Sequence, residues 1–467
     1  MNQHSARLTD AQDALALTFE SIEAGGGAAV IVAGDSVRFV VRGDAVPGVR
    51  MTDSTPFHVA SCSKAFTALL FLAAGPPLNT PCIDLLPELS FPETWIREQC
   101  TFLDLASMRT GLSREGIAEW GFAQHRSAAE RIARGEFMSM VAPFRDRFAY
   151  SNLSYIALAL ALERSTGLTL NRLFEQVVAS PCGLRDAGFG KPASQYEASP
   201  YLSHEGRLQP VSDMSGRNSF GSAGVRLSAR DSALWMLAMF DVVNGARAFG
   251  CESAIVCEAL APHSIQRESD LRLGPSMLGG FYGLGFLVAQ WQGRFLVRHS
   301  GGGRGFRSAF AMFPQERLGV MMWASSETSS IEPLTLETLA RLAGHSVELR
   351  EPFAKTAAEQ HEAQKRLWLQ RQQSIRGSAS DDIRAGPYMN RLSGRVSFAP
   401  NADALGLKFE DAPVFDGRLR RKSPGVFEVI FDEPAMSRQK NDPIFEVAAG
   451  RDGRLTTSYW GDLEPVS

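Results

Sequence analysis

The segment HVASCSKAFTALLFLAAG, residues 58–75, places polar side chains at the start of a long apolar run. From Ala65 onward the run is typical of a buried helix, and its first turn carries Ser61, Ser63 and Lys64. The chain contains seven lysines and 41 arginines, and Lys64 is the only lysine in the first 190 residues. Because a desolvated amine can lose its proton whereas a guanidinium effectively cannot, a lysine at this position indicates a chemical role.

The spacing of the polar residues supports this interpretation. Ser61 and Lys64 are three residues apart, which on a helix places both side chains on one face, about 5–6 Å apart at Cβ. A hydroxyl beside an amine that can be neutral is a nucleophile with its base. The side chain of Cys62 would point roughly 100° away from that of Ser61. We therefore interpret Cys62 as a core residue and the other two as a candidate catalytic pair.

Length and composition describe an ordinary globular enzyme. At 467 residues the chain exceeds what one hydrophobic core usually supports, which predicts a large domain and a smaller one. The formal net charge is −3 and the arginines are balanced by acids, so we expect no nucleic acid partner. No uncharged apolar run reaches about 18 residues and no signal-peptide pattern is present at the N-terminus, which predicts a cytoplasmic protein without a membrane partner.

The cysteines and histidines show no metal-binding pattern. The six cysteines form no C-x-x-C pair, and the eight histidines form no H-E-x-x-H motif. We therefore expect buried free thiols in a reducing compartment, no metal and no cofactor.

Hydrophobic periodicity predicts an α/β body followed by a smaller β domain. Apolar runs on either side of AGDS predict a β-hairpin, and strand-like runs from FYGLGF to LGVMMWAS predict a meander. Besides the Ser61 helix, helices are predicted at about 9–23, at 101–112 with Thr101 as N-cap, at 151–178 as two helices separated by STGLT, and at 227–243 with Ser228 and Asp231 in capping-box spacing.

The composition changes after about residue 350. The segment FAKTAAEQHEAQKRLWLQRQQSIRGSASDDIRAG is rich in Gln, Ala and charge, and predicts a connecting helix that runs into a Ser/Gly-rich linker. From Gly386 the pattern becomes short strands and turns. The predicted organisation is therefore a main domain over 1–350, a helical linker over 351–385 and a small antiparallel β domain over 386–467.

Two further segments carry polar groups that a Ser-Lys site would need. RFAYSNLSY places Tyr150 and Asn152 just before a helix, and LVRHSGGGRGFRS places His299 and Gly301 at the end of a strand. A second S-x-x-K occurs at Ser437 and Lys440, and a second Y-x-N at Tyr388 and Asn390. Both lack the flanking segments, so we interpret them as chance matches.

The ordered trio SCSK, YSN and HSG resembles the serine β-lactamase and penicillin-binding-protein superfamily, specifically the class C β-lactamase-like branch with its esterases and D-aminopeptidases. The segments STPFHVASCSKAFTALL, FGSAGVRLSARD and FYGLGF are also similar to that branch. The resemblance covers roughly residues 10 to 345. It implies an α/β sandwich with an antiparallel sheet and a helical subdomain, and acyl transfer through a serine ester.

The resemblance also implies roles for residues of these motifs. Ser61 is the implied nucleophile and Lys64 its base partner. Tyr150 would relay a proton to the leaving group, and Asn152 would orient Lys64 and the substrate amide. The backbone N–H groups of Ser61 and Gly302 would form the oxyanion hole, in which each preorganised donor is worth about 2.7–4 kcal/mol.

The third motif departs from the β-lactamase pattern because His299 stands where lysine is usual. A histidine is largely neutral near pH 7, so it does not supply a fixed cation for a carboxylate. It resembles instead the D-aminopeptidase members, which carry His there and have C-terminal β domains. Gly301 and its neighbours would allow close approach of an acyl substrate. Arg304 and Arg307 could bind a substrate carboxylate, although surface charge is the simpler interpretation.

Three classes of function remain open at this level. The first is a metal-independent serine hydrolase of small amides or esters, D-aminopeptidase-like or amidase-like, acting on a small molecule or short peptide. The second is an acyltransferase that passes the same acyl group to an amine or alcohol. The third is a non-catalytic binding protein. His299 and the lack of an export signal disfavour a true β-lactamase or cell-wall carboxypeptidase, and a homo-oligomeric state is left open.

Overall fold

The chain forms two compact units in a computed structural model. The larger contains Met1–Arg114, Ala128–Leu202 and Pro210–Ala354, and the second contains Lys355–Ser467 with two short segments. The structure describes residues 3–114, 126–190, 196–204, 207–211, 219–246, 249, 253–266, 277–355, 358–359, 362, 366, 383–390, 394–401, 404–410, 416–423, 425–432, 446–449, 454–457 and 462–466. None of the helices in these ranges is long and apolar enough to cross a membrane.

One antiparallel sheet forms the centre of the larger unit. Its strands are β1 (Gly26–Ala33), β2 (Ser36–Val46), β3 (Val49–Arg50), β9 (Ser264–Ile265), β10 (Met277–Tyr282), β11 (Leu287–Trp291), β12 (Arg294–Gly303), β13 (Phe306–Phe313) and β14 (Leu318–Ala324). Within the described residues their order is β3-β2-β1-β14-β13-β12-β11-β10-β9. The hairpin predicted around AGDS and the predicted meander are therefore both present.

Smaller sheets lie outside this central one. β4 (Phe57–His58) and β5 (Gly188–Phe189) both pair with β8 (Val225–Leu227), while β6 (Tyr201–His204) pairs with β7 (Arg207–Pro210). The helices are α1 (Gln3–Glu20), α2 (Ser63–Ala74), α3 (Thr94–Gln99), α4 (Phe102–Ala106), α5 (Ala128–Ile132), α6 (Asn152–Thr166), α7 (Leu170–Phe174), α8 (Ser180–Cys182), α9 (Ala229–Val243), α10 (Ser253–Leu260) and α11 (Ile331–Leu342). Short 3₁₀ turns span Ala60–Cys62, Cys82–Asp84, Gly135–Phe137 and Pro314–Glu316, and Glu175–Ala179 is a π-helical turn.

Both faces of the central sheet are covered by helices. Residues of α1 and α11, including Leu15 and Leu339, form one core cluster with Ile31 and Val320 of the sheet. On the other face, Trp235 of α9 packs with its ring centroid 5.1 Å from that of Phe310. The Phe66 ring of α2 lies 4.9 Å from the same tryptophan. This packing holds the start of α2 close to the end of β12.

The observed helices agree with the predicted ones in place and differ in some of their bounds. The N-terminal helix, predicted over about 9–23, begins at Gln3 and ends at Glu20. The pair separated by STGLT is confirmed, because Gly167 ends α6 at φ +69° and the Thr169 hydroxyl caps α7. The helix predicted over 101–112 is wrong in length, because α4 ends at Ala106 and the chain reverses at Met108, where φ is +55°.

A buried carboxylate explains this early reversal. Thr101 and Asp104 form a reciprocal capping box at the start of α4. The Asp104 side chain is fully buried and also accepts from Arg109 Nε at 2.7 Å and from Arg145 Nη2 at 2.8 Å. Burial alone would raise the pKa of Asp104, but hydrogen bonds from Arg145, the Thr101 N–H and Arg109 hold it below its usual value. The network ties the turn after α4 to residues just before Tyr150.

The cap of α9 also differs from a full capping box. The Ser228 hydroxyl accepts from the Asp231 N–H at 3.1 Å, as the spacing predicts. The Asp231 carboxylate does not return to the Ser228 backbone but accepts from the N–H groups of Arg185 and Asp186, at 2.9 and 3.0 Å. It therefore fastens the chain after α8 to the start of α9.

The second unit contains the predicted antiparallel β domain. Eight strands close into a barrel in the described residues: β15 (Gly386–Asn390), β16 (Gly394–Asn401), β17 (Ala404–Phe409), β18 (Gly417–Ser423), β19 (Val426–Phe431), β20 (Glu446–Ala449), β21 (Leu455–Thr457) and β22 (Asp462–Pro465). Alternate residues such as Val396 and Phe398 are buried, as expected for an inward face. The fold class is confirmed.

The boundaries of the linker stay a prediction. Residues 350–355 are helical, whereas residues 367–382 lie outside the described part. Ser437 and Lys440 lie outside it too, and Tyr388 is buried in the barrel, where its hydroxyl donates to the Arg384 carbonyl at 3.2 Å. The five described cysteines, Cys62, Cys82, Cys100, Cys182 and Cys257, are free thiols.

We predict that Asp104→Asn destabilises the larger unit by about 2–4 kcal/mol at neutral pH. The substitution removes the buried negative charge that pairs with Arg109 and Arg145. Urea unfolding measures the change. Asp146→Asn is the matched control, since Asp146 is exposed and pairs only with its neighbour Arg147 at 3.2 Å in the described contacts. That control should change the free energy of unfolding by less than about 0.5 kcal/mol. Equal effects of the two substitutions would contradict the prediction.

Candidate active site

Ser61 lies on a strained turn rather than within the helix itself. It is the middle residue of the 3₁₀ turn Ala60–Cys62, and α2 begins two residues later at Ser63. Ala60 has a φ of +48°, a conformation that alanine rarely adopts. Ser61 is half-buried, whereas Cys62 is fully buried, so Cys62 is a core residue as the sequence indicates. The pKa of the Cys62 thiol is raised to about 12, chiefly by burial.

Lys64 is buried completely in the first turn of α2, and the described contacts give it three hydrogen-bond acceptors. Its Nζ lies 3.2 Å from Ser61 Oγ, 2.9 Å from Asn152 Oδ1 and 2.7 Å from the Ser222 carbonyl oxygen. It also lies 4.8 Å from the centroid of the Tyr150 ring. The serine, tyrosine and asparagine predicted from two separate motifs therefore all lie around the Lys64 amine.

Tyr150 completes a chain of hydrogen bonds to the serine. Its hydroxyl donates to Ser61 Oγ at 2.8 Å. The residues on either side are fixed by the turn after α4: the Ala149 N–H donates to the Met108 carbonyl at 2.7 Å, and the Ser151 N–H contacts Met108 Sδ at 3.1 Å. Asn152 follows as the first residue of α6. The positions of both polar groups thus depend on the fold of the 101–112 segment.

The loop over residues 219–225 supplies the third acceptor of Lys64. Gly221 and Gly224 have φ values of +94° and +107°, which let the loop turn sharply beneath α2. The Gly221 carbonyl accepts from the Thr67 hydroxyl at 2.7 Å, and the Val225 N–H donates to the Ser63 hydroxyl at 3.0 Å. These bonds hold the Ser222 carbonyl against Lys64.

The end of β12 runs beside the Ser61 turn. A Cβ on Gly301 would lie 2.3 Å from Ser308 Oγ, 2.5 Å from the Val59 carbonyl oxygen and 3.0 Å from the Ser61 nitrogen, so only glycine fits. Gly303 and Phe306 pair directly across a two-residue turn, which makes them a hydrogen-bonded pair. Because such pairs alternate with non-hydrogen-bonded pairs, the N–H of Gly302 points away from β13.

His299 lies on β12 just before these glycines and is 4% exposed. Its Nδ1 lies 2.7 Å from the Ser300 carbonyl oxygen, and its Nε2 lies 3.5 Å from the hydroxyl of Tyr282. Since a carbonyl only accepts, the proton of the neutral ring belongs on Nδ1. Burial, and then the charge of Lys64, lower the pKa of His299 to about 3. The imidazole is therefore neutral at physiological pH.

Arginine side chains also lie near this cluster. The exposed guanidinium of Arg114 has its Cζ 5.2 Å from the centroid of the Tyr150 ring. Arg304 is half-buried in the turn between β12 and β13. Arg307 faces Gly302 across the strand pair and donates to the carbonyls of Gly303 and Phe306, at 3.3 and 3.0 Å. A role for Arg304 stays a prediction.

Sequence reasoning missed three contributors to the site. Ser222 acts through its carbonyl, which no side-chain pattern reveals, although FGSAGVRLSARD is one of the segments that carry the family resemblance. Tyr282 beside His299 occurs in FYGLGF, another such segment. Nothing in the sequence distinguishes Arg114 from the other arginines. In the described ranges, no group of three or more His, Cys, Asp or Glu residues could hold a metal ion.

We predict that His299 makes the protein less stable in acid. The imidazole of the unfolded chain binds a proton below about pH 6.5, whereas the imidazole of the folded protein does so only near pH 3. The contribution of His299 to the free energy of unfolding is therefore fully present above pH 6.5 and is lost as the pH falls. Between pH 7 and pH 5 the loss from this group is about 2 kcal/mol. His299→Gln has no imidazole to protonate. Between pH 7 and pH 5 the free energy of unfolding of this variant should therefore fall by about 2 kcal/mol less than that of the wild type. An identical pH dependence in wild type and variant would disprove this.

Comparison with known proteins identifies the family of this chain. The Beta-lactamase family model matches residues 16–345. The unguisins hydrolase ungD' of Aspergillus campestris is 27% identical over 309 residues, which are 61% of this chain and 55% of that protein. The D-alanyl-D-alanine-carboxypeptidase/endopeptidase AmpH of Escherichia coli K12 is 26% identical over 313 residues, 64% of this chain and 78% of that protein. The match thus spans about half the length of the Aspergillus relative.

The fold has a counterpart among solved structures. The octameric penicillin-binding protein homologue from Pyrococcus abyssi superposes with a TM-score of 0.62 at 18% identity, covering 97% of this chain and 99% of that one. At that identity the likeness concerns the fold. The family match, which extends over more than half of the residues, confirms the resemblance to the serine β-lactamase and penicillin-binding-protein superfamily. The chain belongs to the beta-lactamase family.

Proposed function

We propose that this protein is a serine hydrolase that cleaves small amides or esters through an acyl-Ser61 intermediate. One observation carries the proposal: Ser61 Oγ lies between the Tyr150 hydroxyl at 2.8 Å and Lys64 Nζ at 3.2 Å. A half-buried serine hydroxyl that contacts an amine able to take its proton and a phenol able to pass one on has the arrangement of an activated nucleophile.

The contacts of Lys64 support its role as the base. Two of its three neighbours, Asn152 Oδ1 and the Ser222 carbonyl, can only accept hydrogen bonds. A neutral amine has two N–H groups for these acceptors and one lone pair for the Ser61 proton. Tyr150 can then donate to Ser61 Oγ and later pass a proton to the leaving group. With its oxygen on Lys64, Asn152 keeps its amide N–H groups for a substrate carbonyl.

The backbone around Ser61 supports an oxyanion hole. The Gly302 N–H points away from β13, and the pairing of β11 with β12 ends at Arg298. No strand of the described sheet therefore competes for this donor. The Ser61 nitrogen is close to the preceding residue of β12, since a Cβ on Gly301 would lie 3.0 Å from it. Two such donors stabilise the negative charge that develops on the carbonyl oxygen of the substrate.

The proposed reaction has two steps. Ser61 Oγ bonds to the substrate carbonyl carbon, the bond from that carbon to the amine or alcohol breaks, and the serine proton passes through Lys64 and Tyr150 to the departing group. Water then attacks the ester carbon, and Lys64 and Tyr150 pass its proton to Ser61 Oγ as the ester bond breaks. This step releases the acid and restores the Ser61 hydroxyl. No metal or redox step enters this scheme.

The neutral His299 favours a peptidase or amidase over a β-lactamase within this chemistry. With a pKa of about 3, it provides no cation at the position of the third motif. We propose D-aminopeptidase-like or amidase-like activity on small molecules or short peptides. The names of the relatives, one a hydrolase of unguisins and the other a D-alanyl-D-alanine carboxypeptidase and endopeptidase, support hydrolysis and extend the range of candidate amides. A homo-oligomer stays a prediction, in line with the octameric Pyrococcus protein.

Ser61 and Lys64 can be tested together by covalent labelling. We expect a fluorophosphonate to add one label to the wild type and none to Ser61→Ala, as measured by intact-protein mass spectrometry. Lys64→Arg should label at least about 100-fold more slowly, because a guanidinium does not take the serine proton. Lys355→Arg, a change at an exposed lysine, is the control and should label normally. Turnover of D- and L-amino-acid p-nitroanilides and p-nitrophenyl esters then identifies the class of substrate. Equal labelling of Ser61→Ala would end the proposal.

Gly301→Ala tests the placement of the oxyanion donors. The added Cβ would lie 2.3–2.5 Å from Ser308 Oγ and the Val59 carbonyl, so β12 must move away from the Ser61 turn. Loss of one donor contact costs about 10²–10³ in kcat, which is the expected fall. Gly303→Ala is the matched control on the same strand, because its Cβ would meet nothing closer than 3.9 Å. Equal kcat values for the two variants would contradict the placement.

A further inference from the structure

The ring of Tyr150 carries a cation that the proposed mechanism does not use. Arg114 Cζ lies 5.2 Å from the ring centroid, and the side chain is exposed. In the ranges that the structure describes, this guanidinium makes no ion pair with an acid. Because the hydroxyl of the same ring contacts Ser61 Oγ at 2.8 Å, the cation is one aromatic ring away from the nucleophile.

The other cationic groups near Ser61 are less available to a ligand. Lys64 is fully buried and its Nζ is surrounded by three oxygens. His299 is neutral above about pH 3, since burial lowers its pKa. Arg307 is half-buried and donates to two backbone carbonyls. Compared with these described side chains, Arg114 combines a permanent charge with an exposed position near the nucleophile.

We propose that Arg114 binds a carboxylate of the substrate, and that preferred substrates carry a carboxylate close to the scissile amide or ester. The assignment rests on the proposed function of Ser61. A planar guanidinium presents paired N–H donors that match the two oxygens of a carboxylate. The cation–π contact with the Tyr150 ring restricts the guanidinium before the substrate arrives, which reduces the entropy lost on binding. Arg114 thus takes the place of the cation that the third motif lacks.

A merely structural role makes a different prediction. If Arg114 only supported the ring of Tyr150, its loss would slow every substrate equally, because the same phenol serves each acyl transfer. If Arg114 binds a carboxylate, its loss affects only substrates that carry one. Pairs of compounds that differ in a single carboxylate separate these roles.

The experiment uses one pair for each side of the scissile bond. On the acyl side, two alkyl fluorophosphonates of equal chain length end in a carboxylate or in a methyl group, and the rate of Ser61 labelling is followed by intact-protein mass spectrometry. On the leaving-group side, the kcat/KM values of 3-carboxyphenyl acetate and 3-methylphenyl acetate are compared. The proteins are the wild type, Arg114→Gln, Arg114→Lys and the control Arg50→Gln, whose parent arginine is 83% exposed beside Asp44.

We expect the wild type to prefer the anionic member of at least one pair by roughly 10-fold or more, as a charge-assisted contact allows. Arg114→Gln should slow that anionic member by about 10- to 100-fold and change its neutral partner by less than about twofold. Arg114→Lys should retain part of the preference, because it keeps the charge but not the paired donors. Arg50→Gln should match the wild type.

Two results would overturn the assignment. The first is a wild type that labels and turns over but shows no preference in either pair. The second is an Arg114→Gln variant in which anionic and neutral compounds are slowed equally. In both cases the proposed function of Ser61 survives. Failure of the neutral fluorophosphonate to label wild-type Ser61 would remove the proposed function and, with it, the role of Arg114.

Discussion

The burial of Lys64 is the constraint on which the rest of the site depends. An amine removed from water is costly unless every hydrogen-bonding direction is satisfied. Here an amide oxygen of Asn152, the backbone carbonyl of Ser222 and the Ser61 hydroxyl surround it at 2.7–3.2 Å. These groups belong to three separate parts of the chain. The helix α2, the start of α6 and the loop over 219–225 must therefore meet at one point, and the nucleophile lies at that point.

Backbone detail maintains this meeting point. Gly221 and Gly224 take positive φ values that turn the loop under α2, and Gly301 leaves room for β12 to lie against the Ser61 turn. The Asp104 carboxylate binds two arginines and so ties the turn after α4 to the residues before Tyr150. None of these features supplies a reacting group. They act by holding the reacting groups at the distances that proton transfer requires.

The buried titratable side chains of the site differ in charge from the exposed Arg114. Inside, His299 is kept neutral by burial and by the charge of Lys64, and burial likewise raises the pKa of the Tyr155 and Tyr282 phenols. Outside, the exposed Arg114 brings a fixed charge to the ring of Tyr150. With the histidine and the two phenols neutral, the amine of Lys64 is the buried group placed to exchange a proton with Ser61. The role proposed for Arg114 is the selection of substrates, which is separate from that exchange.

The sequence by itself determined the fold class and indicated the principal side chains of the candidate site. Lysine is rare in this chain, and Lys64 lies three residues after Ser61. Together with the ordered S-x-x-K, Y-x-N and H-x-G motifs, it indicated which side chains act together, because the identity of a residue fixes the chemistry of its side chain. Alternating and helical periodicity likewise indicated the sheet, most helices and the C-terminal β domain. Only the tertiary structure decided the rest: the end of α4 at Ala106, the carbonyl of Ser222 on Lys64, the neutral state of His299 and the placement of Arg114 over Tyr150. A carbonyl is common to every residue, and a pKa depends on burial and neighbouring charge, so neither is visible until distant segments are brought together.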